Sequence, residues 1–128
     1  VVRSSISARY SSWRSLFASL LLAFAPFSNH GSTEERSARQ IVVRARRFSF
    51  SPAEITLKKG RTAKLILISE DVTHGLVVEG LGIDVAIHQR RETVVWVTPT
   101  KAGDFSGSCS IFCGTGHRDM EFVIHVVN

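Results

Sequence analysis

Between Cys109 and Met120 the chain reads C-S-I-F-C-G-T-G-H-R-D-M, a window that holds both cysteines and the only methionine of the 128 residues, together with His117. Thiolate, thioether and imidazole are soft ligands that in combination favour copper, since a thioether adds little for zinc. Three residues separate Cys109 from Cys113, three more precede His117, and two lie between His117 and Met120. A loop folded back on itself can therefore aim all four side chains at one point. A zinc knuckle would more often show C-x-x-C with a second ligand pair elsewhere, and a c-type haem needs C-x-x-C-H. Neither pattern occurs here. The alternative left open by these residues is a short-loop disulfide between Cys109 and Cys113, with Met120 as core packing.

With His74 added from the upstream segment Asp71-Val72-Thr73-His74-Gly75-Leu76, the pattern resembles the CuA domain of cytochrome c oxidase subunit II, a dinuclear copper domain also found in nitrous oxide reductase. The family signature is C-x-x-x-C-x-x-x-H-x-x-M plus one histidine upstream. The resemblance runs from about Arg46 to Asn128 and is nearest in pattern to the B-type haem-copper oxidases. It is carried there by R-F-S-F-S-P at Arg47–Pro52, H-G-L-V-V-E-G at His74–Gly80 and C-G-T-G-H at Cys113–His117.

The resemblance implies that Cys109 and Cys113 bridge two copper ions. His74 and Met120 would complete one ion, and His117 with the backbone carbonyl of Ile111 the other. It further implies electron transfer from a cytochrome c or cupredoxin donor to subunit I of a haem-copper oxidase. The chain would be a component of that complex, with no catalytic residue of its own. Three departures limit what carries over. Mitochondrial-type relatives have glutamate at the Ile111 position, where its side chain also serves a magnesium site, so no magnesium ligand is expected here. Leu76 stands where those relatives have tryptophan. Their aromatic-rich electron-entry segment is missing, and Phe48 and Phe50 read as core residues.

Two other classes remain. A mononuclear blue-copper carrier would use His74, Cys113, His117 and Met120, but would leave Cys109 spare. A copper-binding or delivery protein would keep the ligands without a respiratory partner.

The elements that must position these residues begin with a chain long enough for one domain, and 44% hydrophobic content favours a folded core. Residues 1–30 read as a signal peptide or short membrane-targeting segment: Val1 to Tyr10 is basic and serine-rich, and Leu16 to Phe27 is apolar. A spanning helix needs about 20 apolar residues, more than this run supplies. Ala23 and Ala25 offer a small-residue cleavage site that Pro26 disfavours. Residues 31–40 read as a polar linker and residues 41–128 as the copper domain. The expectation is an exported protein, in the periplasm or on the outer face of the cytoplasmic membrane, with membrane association through the N-terminal segment.

Charge supports that division. Val1 to Gln40 holds five arginines and two acids, and Ile41 to Asn128 holds eleven Lys/Arg and nine acids, so the net +5 splits as +3 and +2. The basic balance belongs largely to the targeting region, and no aromatic-plus-basic module suggests nucleic-acid binding.

From Ile41 onward the texture is β. Ile41, Val43 and Ala45 alternate with Val42 and Arg44, Ala63 to Ile68 alternate likewise, and Thr93 to Val97 and Phe122 to Val127 are rich in β-branched and aromatic residues. Breaks at Ser51-Pro52, Lys59-Gly60, Gly80 to Gly82, Gln89 to Arg91, Pro99 and Gly103 give short, evenly spaced strands. Pattern and resemblance together lead to an all-β fold, a cupredoxin-like Greek-key sandwich or barrel. No internal repeat, P-loop, Rossmann glycine pattern or G-x-S-x-G elbow is present.

In that fold His74 is expected to end one strand, and the Cys109 to Met120 loop to join the last two. Gly114 and Gly116 would allow a tight backbone path by positive φ or close approach. His88 and His125 read as structural or solvent-facing. Asp71, Glu79 and Asp84 are candidates for a partner surface, and Arg118 and Asp119 for a docking or solvated face.

Overall fold

A computed structural model describes residues 38–128. The expected export segment, residues 1–30, and linker residues 31–37 lie outside that range. Nine strands follow in order: β1 Arg39–Arg46, β2 Ser49–Ser51, β3 Glu54–Lys58, β4 Ala63–Ser69, β5 His74–Val78, β6 Ile83–Ile87, β7 Glu92–Val97, β8 Gly103–Ser108 and β9 Glu121–Val127. They form two sheets, β2-β1-β4-β7 and β3-β9-β8-β5-β6. The expected all-β sandwich is the observed fold. No helix among the described residues is long and apolar enough to cross a membrane.

Period-two alternation builds each inner face, because successive side chains on a strand point to opposite sides. β4 shows it most plainly: Ala63, Leu65, Leu67 and Ser69 are buried, while Lys64, Ile66 and Ile68 are partly exposed. From the facing sheet, Phe122, Ile124 and Val126 of β9 and Ile55 and Leu57 of β3 enter the same core. Phe50 of β2 meets Phe122 edge-on at 5.6 Å between ring centroids and ties one sheet to the other. Such aromatic pairs add about 0.5–1.5 kcal/mol beyond their buried area.

β1 starts at Arg39, two residues before the expected domain start. Arg39 and Gln40 pair with Ala63 and Lys64, and that parallel ladder continues to Ala45 opposite Ser69. Because β1 and β4 run parallel, both end at the same pole of the sandwich. The turn after β1, the segment after β4 and the loop between β8 and β9 are thereby brought together. Expected breaks coincide with the ends of β2 and β3 and with the 3-10 turn Glu79–Leu81. Gly103, by contrast, opens β8.

Candidate metal centre

Two segments bring the candidate ligands to that pole. His74 is the first residue of β5, not the last of the preceding strand, and its side chain is fully buried. The reversal has a simple cause: β4 extends only to Ser69, and a short turn through Asp71 and Val72 intervenes. Cys109 to Met120 connects β8 to β9, as the sequence leads one to expect. The loop closes at its base where the Cys109 N–H donates to the Met120 carbonyl at 3.2 Å. It can lie flat on β5 only because residue 75 is glycine. A Cβ there would collide with the Ser110 hydroxyl and stand 3.0 Å from the Ile111 backbone nitrogen.

One donor atom from each of His74, Cys109 and Cys113 falls within 4.8 Å of the others, and all three residues are buried. The two sulfurs stand 3.9 Å apart and both thiols are free, far beyond the roughly 2.05 Å of a disulfide bond. The Cys109 thiol donates to the Ile111 carbonyl at 3.1 Å, and the Cys113 thiol to the Met120 thioether sulfur at 3.5 Å. Met120 is wholly buried against this group. His117 lies outside the 4.8 Å trio, in the short 3-10 turn His117–Asp119, with the exposed Phe112 ring edge-on to it at 5.4 Å.

Both His74 and His117 have a buried Nδ1 atom without a hydrogen-bond partner. A buried unpaired nitrogen costs about 1–3 kcal/mol, so two of them at one pole require an explanation. A metal ion is one that also uses the adjacent sulfurs. With two thiols, a thioether, two imidazoles and a carbonyl, the donors present fit copper.

The surroundings orient the donors. Asp71 Oδ1 lies 2.7 Å from His74 Nε2, so a proton held on Nε2 leaves the buried Nδ1 bare and free to bind a metal. Burial alone would raise the Asp71 carboxyl. The Arg47 backbone N–H, the His74 side chain and the Val72 N–H outweigh that effect and bring its pKa down to about 2. Asp71 is thus part of the site's support. Burial and the neighbouring Cys109 thiol push the Cys113 thiol up to about 11. A metal must therefore displace a proton to bind this sulfur at neutral pH.

Two further contributions were not legible in the sequence. Phe48 is no core residue: it is 39% exposed and lies in the turn between β1 and β2. There its ring covers the ligand loop, so that a Cβ on Gly114 or Gly116 would stand 2.8 or 2.7 Å from it. Close approach is thus what both glycines permit, and Gly114 also has φ +139°. Arg47 donates from Nε to the Cys113 carbonyl at 2.7 Å. Phe50 is buried as expected. His88 is exposed just after β6. His125 lies on the outer face of β9 between Asp104 and Glu54. Arg118 and Asp119 are exposed in the 3-10 turn.

A β-sandwich carrying a buried cluster of soft donors at one pole defines a class of metal-binding β proteins. The family model for the cupredoxin-like domain matches residues 16–121. The chain belongs to the cupredoxin-like family. Cytochrome c oxidase subunit 2 of Thermus thermophilus is 31% identical over 80 residues, covering 62% of this chain and 59% of that protein. The chain thus spans little more than half of that relative's length. Among solved structures, the periplasmic domain of cytochrome oxidase subunit II (CoxB) of Bradyrhizobium japonicum aligns with a TM-score of 0.65 at 18% identity. That alignment covers 70% of this chain and 84% of the other. The metal-binding domain of the Streptococcus pneumoniae Cu(I)-exporting ATPase CopA, solved with Cu(I), aligns with a TM-score of 0.56 at 26% identity, over 70% and 85% of the two chains.

Proposed function

We propose that this domain transfers electrons through a dinuclear copper centre of the CuA type, as a subunit II-like component of a haem-copper oxidase. The observation that carries the reading is the pair of free, buried thiols 3.9 Å apart, flanked by two imidazoles whose buried Nδ1 atoms have no partner. Cys109 and Cys113 would hold both ions. His74 and Met120 would complete one, and His117 with the Ile111 carbonyl the other. When bound, copper supplies a one-electron couple. The protein's part is to hold the donors still between oxidation states. The sheet ladders on either side, the carboxylate behind His74 and the ring over Gly114 and Gly116 all serve that end.

The Thermus thermophilus relative's name supports a place in a cytochrome c oxidase. In this reading subunit I of a haem-copper oxidase is the acceptor and a cytochrome c or cupredoxin the donor. The site faces outward from the cytoplasm in this reading, as an exported domain in the periplasm or on the outer membrane face, following the N-terminal targeting segment. Residues 1–30 would serve as that segment, 31–40 as a linker and 41–128 as the copper domain. Likeness to the CopA metal-binding domain favours a second reading, copper binding or delivery. A mononuclear carrier accounts less well for two buried cysteines.

Affinity purification of the tagged chain from membranes of its native host separates the two readings. Haem-containing oxidase subunits are expected to co-purify. Copper-loaded protein recovered alone would move the function to delivery.

A further inference from the structure

The turn between β1 and β2 belongs to neither ligand-bearing segment, yet it touches both. The main-chain N–H of Arg47 donates to Asp71 Oδ2 at 2.8 Å, while Oδ1 of the same carboxylate lies 2.7 Å from His74 Nε2. The side chain of Arg47 turns the other way and donates from Nε to the Cys113 carbonyl at 2.7 Å. One residue therefore links the support of His74 with the backbone of Cys113, 66 positions further along the chain. Phe48 follows directly and packs on Gly114 and Gly116 of the same loop.

We propose that Arg47 is a positioning residue of the metal centre, fixing the ligand loop through the Cys113 carbonyl and bringing a permanent positive charge beside the thiol pair. This inference rests on the copper reading for its electrostatic part only. A guanidinium is a fixed donor that stays charged at all physiological pH values, and charge-assisted hydrogen bonds are about twice as strong as neutral ones. A fixed positive charge near a metal favours the reduced, less positive form and raises its reduction potential. Since the His74 support comes from the Arg47 main chain, substituting the side chain leaves that support intact. The effect is then confined to the Cys113 loop.

The test uses the full chain with Arg47→Gln and Arg47→Lys. In the metal-free protein, amide hydrogen exchange is read at His117, whose N–H donates to the Gly114 carbonyl at 3.1 Å. Loss of one charge-assisted bond from R47Q is expected to speed that exchange on the order of tenfold, with R47K intermediate. In the copper-loaded protein, R47Q is expected to lower the reduction potential and shift the visible copper bands, while R47K keeps most of the potential. Wild-type exchange and wild-type potential in R47Q would overturn the proposal. Should R47Q not fold, R47K is compared with wild type alone, and unchanged His117 exchange in it would overturn the proposal equally. Failure of the wild-type chain to bind copper would sink the copper reading, while the exchange measurement would still decide the loop-fixing role.

Discussion

The buried His74 imidazole pairs with the partly exposed Asp71 carboxylate, with Nε2 2.7 Å from Oδ1, and the pair leaves Nδ1 of this histidine, which is clustered with two thiols, buried and unpartnered. Outer partners of this kind fix the tautomer and orientation of a ligating histidine, and losing one typically costs about 10–100-fold in metal affinity. Asp71→Asn is therefore expected to weaken copper binding within that range, measured by competition with a chelator of known affinity. Equal affinity in the variant would remove Asp71 from the site.

Cys109 and Met120 differ in what the loss of their sulfur should do. Cys109→Ser is expected to bind one copper in place of two, through Cys113, His117 and Met120, as counted by metal analysis of the purified variant. Retention of two ions would contradict bridging by Cys109. Met120→Leu is expected to keep its copper and change the reduction potential, because an axial thioether tunes a copper site more than it holds it. Complete loss of metal would show Met120 to be a main support.

Sequence and structure agree where local periodicity decides the outcome. β4 alternates so regularly that its inner face can be read directly from Ala63, Leu65 and Leu67. The ligand loop is legible for a different reason, since its residue types and spacing are themselves the chemistry. β8 is the opposite case. Its sequence, G-D-F-S-G-S, has one apolar side chain. The strand exists because β9 pairs with all six of its residues. Its Gly107 packs so closely on β5 that a Cβ would stand 2.7 Å from the Val78 side chain. Phe48 misleads because it is two residues from buried Phe50, the spacing of one face of a strand. β2 begins only at Ser49, so that alternation does not extend back to it. The contact from Arg47 to Cys113 is formed by folding across most of the domain, which no local pattern encodes.

The core supplies a stability test independent of the metal. Phe122 is fully buried and bridges the sheets through Phe50. Phe122→Ala is expected to cost about 3–5 kcal/mol by lost transfer energy and the cavity left behind. Urea unfolding of the metal-free protein measures it. A cost below about 1 kcal/mol would mean that the two sheets do not depend on this contact.

On the outer face of the second sheet, His125 Nδ1 lies 2.7 Å from Asp104 Oδ1 and Nε2 lies 3.4 Å from Glu54 Oε2. Asp104 foremost, then Glu54, raises the His125 pKa above its usual value near 6.5. The folded state therefore holds its proton to higher pH than the unfolded chain does. The stabilisation is fully present below about 6.5 and is lost as pH rises through the raised folded value. Asp104→Asn is expected to lower the His125 midpoint in an NMR titration and to flatten this part of the stability profile. An unchanged midpoint would show that the carboxylate exerts no hold on the ring.

The most direct measurement is copper stoichiometry together with an electron paramagnetic resonance spectrum of the chain after reconstitution with copper under mild oxidation. Two coppers per chain sharing one unpaired electron are expected from thiols placed as Cys109 and Cys113 are. One localised Cu(II), or no copper with a Cys109–Cys113 disulfide, would contradict the dinuclear centre.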